Sequence, residues 1–464
     1  MPKIKGAQLR KLLSRKKEKK YSKVSSNIQT KMKKWYLKSK QNLESNKTSL
    51  SLEYRIILKK KLLEFLRNSR MNCDNAKTLL YFIDQDKITK KGLKLLGCGS
   101  NGCALESCIN SSCNDKLVVK MGIIDNTWNY ISPTHPNKTE IELYKQMNMF
   151  LLDMRSPHYT FFYGSFDCGM DFVDIISDSA EKKKFNKKAR EKVYSPYPEK
   201  LSISIVELAN SDLHTFFEKN HIDMNLWSNI LFQICYMLSV TQYYIPGFRH
   251  NDFKLDNILV DEYKPKNKFI KYIIFGLTFY IPDIGIRLKM WDLDFGCSDQ
   301  TKNDKVEDSW SDSFGCNSEH NSIYDLHLAM VMVERYFSRD VEPDVLKYVK
   351  DYLYTTDERI IDEVKKKNRH SWSRYSSNGG YKLTGSQNIL LEFNRLTGTK
   401  IGIKNLVPDD ISSPSDLLYD REDEGSIFNK FLEVVPEEHI SVTYDSKIIP
   451  TEDLFKRSDM FNVF

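Results

Sequence analysis

Residues 250–260 of the chain read HNDFKLDNILV. The stretch places Asp252, Lys254 and Asn257 close together and then runs straight into Ile-Leu-Val. This pattern predicts a polar loop that leads into a short buried strand. A carboxylate, an ammonium group and an amide on one loop can hold a hydroxyl, a phosphate and a metal ion together. A surface turn before a core strand has the same pattern, so partners elsewhere in the chain must decide between the two interpretations.

Length and composition indicate a folded protein. The chain has 464 residues, of which 41% are hydrophobic and 12% aromatic, enough to form two lobes or domains and a tail. It has no run of about 18 apolar residues and no apolar signal core near its start, so we expect neither a membrane span nor secretion. Nine cysteines, an odd number, predict reduced thiols in an intracellular compartment.

Charge is distributed unevenly. Residues 1–40 contain 15 Lys and Arg and one acidic residue, Glu18, for a net charge of +14, whereas the whole chain carries +8. We interpret residues 1–48 as a flexible basic tail. Such a tail could contact DNA, an anionic membrane or acidic proteins, or could simply be solvated. Apolar spacing over residues 49–89 predicts a helical extension that packs on the main body.

A glycine-rich turn begins at residue 97. Gly97, Gly99 and Gly102 follow a short apolar run, and the strand-like LVVK ends at Lys120. A dinucleotide site would need a helix directly after the glycines, but the residues that follow continue as a strand. Glycines followed by a strand that ends in lysine are typical of a kinase nucleotide site. Glycine lets the backbone close over phosphates because it has no Cβ.

Two further segments supply acidic residues. TEIELYKQM has helical spacing and places Glu140 twenty residues after Lys120, where it can orient the lysine. Glu142 is the alternative partner, on a more exposed face. Downstream of the opening stretch, WDLDFG contains Asp294 followed by Phe and Gly.

These five features occur in one order: glycine loop, strand lysine, helix glutamate, Asp-x-Lys-x-x-Asn and Asp-Phe-Gly. The chain therefore resembles a eukaryotic-type protein kinase over roughly residues 90–340. The resemblance implies an α+β, two-lobed protein-kinase fold with a small β-rich N-lobe, a larger mainly helical C-lobe and an N-terminal basic extension. We expect the N-lobe at residues 90–208 and the C-lobe at residues 209–464, with a β-hairpin insert at 264–290.

The resemblance also implies roles for single residues and a cofactor, ATP with Mg²⁺, for which Mn²⁺ can substitute. Asp252 would accept the proton of the substrate hydroxyl, Lys254 would offset charge on the γ-phosphate, and Asn257 and Asp294 would hold the metal. Lys120 would reach the α- and β-phosphates. The backbone from Glu207 to Ala209 would meet adenine. Asp212 would accept a ribose hydroxyl or act as a helix N-cap. Lysine at position 254 is similar to Ser/Thr kinases, so the expected substrates are proteins.

Several features depart from the common kinase pattern. Asp252 and Asp294 are 42 residues apart, much further than is usual, and the inserted segment is similar to the hairpin of haspin. No Ala-Pro-Glu follows Asp294. Asp325 resembles the buried helix aspartate that braces the catalytic loop. Together with the basic tail, these features resemble the protein kinases of large cytoplasmic DNA viruses, distantly including the poxvirus virion kinase. The resemblance implies a location in the host cytoplasm, with packaging in the virion as a further option.

Alternatives from other classes remain open. A small-molecule phosphotransferase of the choline or aminoglycoside kinase type shares the His-x-Asp-x-x-x-x-Asn pattern, although the full glycine loop and Lys254 argue against it. A pseudokinase scaffold or a nucleic-acid-binding virion protein is another. Four cysteines recur every five residues from Cys98 to Cys113, but zinc sites favour paired Cys-x-x-Cys knuckles. A spacing of five on a hairpin also sends alternate side chains to opposite faces. A redox-sensitive or alkylatable thiol at Cys98 is favoured over zinc but is itself a minority interpretation.

One position bears on regulation. Asn251 stands where many kinases have an arginine directly before the catalytic aspartate, and an uncharged amide cannot pair with a phosphate on the activation segment. We therefore expect activity without prior phosphorylation.

Overall fold

The computed structural model describes residues 94–98, 102–108, 116–124, 127–169, 172, 183, 200–265, 268–274, 277–307, 316, 318, 324–353, 431 and 434–446. The predicted basic tail (1–48) and the predicted helical extension (49–89) lie outside the described residues, as does Gly99. The described part is mixed α+β and is compatible with a kinase fold. The two-lobe division stays a prediction.

A five-stranded antiparallel sheet comes first among the described residues. Its strands are β1 (Lys94–Cys98), β2 (Gly102–Cys108), β3 (Lys116–Ile123), β4 (Phe162–Gly169) and β5 (Lys200–Glu207). Their order in the sheet is β1-β2-β3-β5-β4. Strand β3 is buried along most of its length, as expected for an apolar run between two neighbouring strands. Lys120 lies on this central strand, opposite Ser204 of β5.

One long helix accompanies the sheet. Helix α1 (Pro136–Leu152) begins with proline in its first turn, and the ring of His135 accepts a hydrogen bond from the backbone N–H of Asn137. Proline suits this position because its missing N–H would have no partner in the helix. Tyr144 of α1 stacks on Phe162 of β4, with ring centroids 5.8 Å apart. The helix is thereby fixed against the sheet, and Glu140 is carried on the same element.

The described residues form four more helices: α2 (Leu213–Lys219), α3 (Met224–Tyr244), α4 (Tyr324–Phe337) and α5 (Pro343–Leu353). Helix α3 is buried on almost every side, so it forms the centre of this region. Asp212 and Asp223 cap the first turns of α2 and α3 by accepting backbone N–H groups. The capping of α2 agrees with the N-cap interpretation of Asp212.

Two small sheets complete the described architecture. One has the order β10-β7-β6, from β6 (Ser211–Asp212), β7 (Ile258–Glu262) and β10 (Ile286–Met290). The other has the order β11-β8-β9, from β8 (Phe269–Ile274), β9 (Leu277–Pro282) and β11 (Ile440–Asp445). The segment predicted as a hairpin insert is thus divided. Strands β8 and β9 form a hairpin, whereas β10 pairs with β7, the strand that follows the opening loop.

Candidate functional site

A cleft of about 630 Å³ opens beside the five-stranded sheet and the loop before β7. Most residues predicted to form the site line this cleft: Gly97, Gly102, Lys120, Glu140, Glu207, Ala209, Asp252, Lys254 and Asp294. Asn257 does not line the cleft itself but is hydrogen-bonded to Asp252, which does. The chain therefore brings together segments that are far apart in sequence.

The loop of the opening stretch is ordered by its own side chains. The amide nitrogen of Asn257 donates to the backbone carbonyl of Asp252 at 2.7 Å and to its carboxylate at 3.1 Å. The ammonium group of Lys254 lies 3.2 Å from the same carboxylate. Asp252 is only 4% exposed, so these two partners fix its orientation toward the cleft. A short 3-10 turn, Leu255–Asn257, then leads into β7.

Asp325 of α4 holds the beginning of this loop. Its two carboxylate oxygens accept the backbone N–H groups of His250 and Asn251, at 2.8 and 3.0 Å. Asn251 has a positive φ of 64°, which asparagine tolerates better than most residues. Burial raises the pKa of Asp325, although His250 and Arg249 oppose the shift. The contacts match the bracing role that the resemblance implied for Asp325.

Lys120 is shared between two carboxylates. Its ammonium group lies 2.5 Å from Glu140 of α1 and 2.6 Å from Asp292. Burial alone would lower the pKa of Lys120, but the two carboxylates outweigh it and raise that pKa well above its usual range. The lysine is thus charged and held between two acids at the cleft. Glu140 fills the predicted position, and Glu142 instead lies near Lys145.

Asp292 was not predicted from the sequence. Burial would raise the pKa of its carboxyl, but Lys120 and other cations lower the pKa to about 2. The residue has a φ of 58° in the left-handed region, and a non-glycine residue there is uncommon enough to suggest a functional constraint. The sequence WDLDFG contains two aspartates, and either could have been predicted as a site residue. Only Asp294 belongs to the Asp-Phe-Gly triplet, so only Asp294 was predicted.

Asp294 lines the same cleft with a different partner. The ammonium group of Lys305 forms a short ion pair with its carboxylate, and Lys305 also lies over the ring of Phe295. Burial would raise the pKa of Asp294, but Lys305 is the main cause of its net lowering. Asn303 donates to the backbone carbonyls of Asp294 and Gly296. The structure therefore offers two ionised carboxylates, one held by Lys120 and one by Lys305.

The donor set fits Mg²⁺. Asp292 and Asp294 supply carboxylate oxygens, and Asn257 uses its amide nitrogen toward Asp252, so that its oxygen is the atom suited to a cation. Among the residues that the structure describes, no group of three or more His, Cys, Asp or Glu is arranged to hold a metal. Mg²⁺ does not need one, because it retains waters and binds one or two carboxylates together with substrate phosphates.

The predicted adenine-binding segment also has a structural partner. The side chain of Glu207, at the end of β5, accepts from Lys289 of β10 at 2.8 Å, and Lys289 lies 2.6 Å from Asp261 of β7. Lys289 is fully buried. This ion-pair cluster was not predicted, because the sequence does not show that β7 and β10 are neighbours. Ala209 follows directly and lines the cleft.

The cysteines of the glycine-rich segment are paired. Cys98 and Cys103 form a disulfide, where the sequence predicted reduced thiols. Cys168 is also disulfide-bonded. Cys235, Cys297 and Cys316 are buried thiols.

The chain is similar to a viral protein. It is 30% identical over 292 residues to a protein of Acanthamoeba polyphaga mimivirus that is named "Putative serine/threonine-protein kinase R400". The alignment covers 59% of this chain and 62% of the relative, so the chain spans less than two thirds of the relative's length. No protein-family model matches the sequence. The similarity is consistent with a divergent viral kinase.

Within the described ranges, none of the helices combines the length and the apolar character that a membrane span requires.

Proposed function

We propose that the protein is an ATP-dependent protein kinase that transfers the γ-phosphoryl group of ATP to Ser or Thr hydroxyls of proteins. One observation carries this proposal. Asp252 and Lys254 of the opening loop line the same cleft as the cluster of Lys120, Glu140 and Asp292. Phosphoryl transfer depends mainly on positioning and charge neutralisation, and these two groups supply both. The mimivirus relative, whose printed name is that of a serine/threonine-protein kinase, supports the same reaction.

Asp252 is the residue that would take the proton of the acceptor hydroxyl. Its carboxylate is oriented by Asn257 and lies 3.2 Å from the ammonium group of Lys254. Lys254 lines the cleft as well, so it can neutralise charge on the phosphoryl group as that group approaches the hydroxyl. A positioned base and a positioned cation each contribute on the order of 10² or more to the rate.

Lys120 would clamp the phosphates of ATP that are not transferred. Its ammonium group is held by Glu140 of helix α1 and by Asp292 of the segment that follows β10. Asn257, Asp292 and Asp294 would hold Mg²⁺, which when bound neutralises phosphate charge. The backbone from Glu207 to Ala209 is positioned at the cleft to meet adenine, while the side chain of Glu207 is used by Lys289.

The proposal also covers the binding partners of the protein and its location in the infected cell. Proteins are the expected substrates, in the host cytoplasm and with virion packaging as an extension of the proposal. Residues 1–48 supply a basic segment for contacts with DNA, an anionic membrane or acidic proteins. These contacts would weaken as salt is added, because exposed charges are screened.

Labelled ATP tests the proposal. Purified full-length protein is incubated with Mg²⁺, γ-labelled ATP and a panel of basic and acidic proteins, choline and an aminoglycoside. We expect label on Ser or Thr of a protein and none on the small molecules. Lys120→Met, as the control, should label nothing. Label on a small molecule would instead indicate a small-molecule phosphotransferase. ATP binding without transfer to any acceptor, the protein itself included, would indicate a pseudokinase.

A further inference from the structure

Two cysteines face each other at the entrance of the cleft. Cys98 is the last residue of β1 and lies opposite Cys103 of β2 in the antiparallel register. Their Cα atoms are 4.1 Å apart and their sulfur atoms are bonded. Facing residues at non-hydrogen-bonded sites of antiparallel strands lie about 4.5 Å apart. The backbone pairing therefore brings the two sulfur atoms within reach of each other.

The position of this pair separates it from the other cysteines. Cys98 and Cys103 both line the cleft that contains Lys120, and of the described residues they are the cysteines that do so. Cys235 and Cys297 are buried elsewhere, and burial raises the pKa of both thiols, that of Cys297 to about 12. Since the thiolate is the reactive form, those two thiols should be inert at neutral pH.

We propose that Cys98 and Cys103 are a reversible thiol–disulfide modification site, and that the disulfide strengthens nucleotide binding in the cleft. The second half of this inference rests on the proposed function, because it takes the cleft to be the nucleotide site. The co-reactant is a low-molecular-weight disulfide such as glutathione disulfide.

The exchange proceeds in two balanced steps. Cys98 is partly exposed whereas Cys103 is 2% exposed, so the Cys98 thiolate attacks one sulfur of glutathione disulfide. A mixed disulfide forms at Cys98 and one glutathione thiolate leaves. The Cys103 thiolate then attacks the Cys98 sulfur, which forms the intramolecular bond and releases the second glutathione thiolate. The two cysteines lose two electrons and two protons, and two glutathione molecules receive them.

The effect on binding follows from chain entropy. The disulfide joins β1 to β2 at the end of the pair where Gly97 and Gly102 line the cleft. A cross-link between the two strands limits their movement relative to each other before the nucleotide arrives. Less freedom is then lost on binding, and preorganised sites bind more tightly for this reason. We expect reduction to raise the Kd for ATP at least about threefold.

Mass spectrometry tests the modification. Full-length protein is equilibrated in buffers with increasing ratios of reduced to oxidised glutathione, and free thiols are then blocked with iodoacetamide. Cys98 and Cys103 should change together from the disulfide to two alkylated thiols, while Cys235 and Cys297 react only after unfolding. If Cys98 and Cys103 never interconvert, or if each stops at a mixed disulfide with glutathione, the proposal is wrong.

Nucleotide binding tests the consequence. The Kd for a fluorescent ATP analogue is measured for the oxidised and the reduced protein, with thermal unfolding recorded to show that both are folded. Cys98→Ser and Cys103→Ser should each lose the difference between the two states. Cys168→Ser is the matched control, because it removes the other described disulfide partner on the same sheet, and it should keep the difference.

Two results would overturn this part. One is an equal or weaker affinity in the oxidised protein, and the other is a difference that persists in Cys98→Ser but vanishes in Cys168→Ser. If neither state binds nucleotide, the proposed function fails, and the exchange measured by mass spectrometry still decides on the modification site.

Discussion

Two clusters in the molecule have the same composition, one lysine between two carboxylates, and very different surroundings. Lys120 lies between Glu140 and Asp292, and its side chain is 18% exposed at the cleft. Lys289 lies between Glu207 and Asp261 and is 1% exposed. The first cluster faces a space where phosphates can enter. In the second cluster only Glu207 reaches the lining of the cleft, and the cluster joins the end of β5 to strands β7 and β10.

The two clusters have the same charges and differ in exposure. Exposure to the cleft is therefore what distinguishes a cluster that can contact a ligand from one that only stabilises the fold. A buried lysine with two carboxylates within hydrogen-bond distance has its electrostatic partners already. In the Lys120 cluster, the proposed function requires the ammonium group to contact a ligand as well. Asp292 and Glu140 then keep that ammonium group in place. We infer that changes at the first cluster alter transfer, whereas changes at the second alter stability.

The largest expected effect comes from Asp292, the carboxylate missed in the sequence. Asp292→Asn removes a partner of Lys120 and a metal-binding oxygen at once, so the rate of transfer should fall by about 10² or more. Asp294→Asn should lose less, because Lys305 already neutralises that carboxylate. Initial rates with labelled ATP at saturating Mg²⁺ measure both. A larger loss of transfer rate in Asp294→Asn would indicate that Asp294, and not Asp292, is the main ligand of the metal.

The Lys289 cluster should respond in stability. Lys289→Met leaves two buried carboxylates without their cation, which typically destabilises a protein by about 3–5 kcal/mol. Denaturant unfolding measures the change. The triple variant Lys289→Met, Glu207→Gln, Asp261→Asn removes the charges together and should recover most of the loss.

Two outcomes would contradict this account of Lys289. One is a stability for Lys289→Met that equals the wild type. The other is a transfer rate, corrected for the folded fraction, that falls as far as in Lys120→Met.

Glu140 of the first cluster should make the free energy of unfolding depend on pH. Burial is the main cause that raises the pKa of Glu140 to about 7, with Lys120 opposing it, whereas an unfolded glutamate ionises near pH 4.3. Between these values the folded chain holds a proton that the unfolded chain releases. The contribution of Glu140 to stability is therefore full below about pH 4.3 and is lost as the pH rises through 7.

Glu140→Gln isolates this contribution. The free energy of unfolding of the wild type, relative to the variant, should fall by about 1–3 kcal/mol between pH 5 and pH 8. Glu142→Gln is the matched control on the same helix and should show no such trend. A wild-type advantage that grows with pH would reverse the sign and contradict the raised pKa.

The smallest effect is expected from phosphorylation. Asn251 donates to the backbone carbonyl of Phe295 at 3.1 Å and contacts the sulfur of Cys297, so neutral contacts already tie the loop to the segment after Asp294. Phosphatase-treated protein should therefore start turnover without a lag. Ser309, Ser311 and Ser313, which lie outside the described residues, can be changed together to Ala with most activity retained. A lag that shortens after preincubation with ATP would contradict this.

Local sequence patterns predicted most residues that line the cleft, but not the contacts that hold those residues in position. Short motifs whose spacing reflects local geometry contain Gly97, Gly102, Lys120, Glu140 and the loop at Asp252, and the structure brings these residues to one cleft. Asp292 depends on a backbone conformation that spacing does not reveal. The pairing of Lys289 with Glu207 and Asp261 depends on which strands become neighbours. The disulfide between Cys98 and Cys103 depends on the register of β1 against β2, which the spacing of the cysteines does not reveal.

The central claim is that Asp252 acts on a phosphoryl acceptor in a cleft that binds ATP. The most direct test compares Asp252→Asn with the wild type in three quantities: the transfer rate, the Kd for ATP and the temperature of unfolding. The account predicts that the rate falls by about 10² or more while the Kd stays within a few-fold and the unfolding temperature is essentially kept. Equal transfer rates for the variant and the wild type, from preparations free of other kinases, would contradict it.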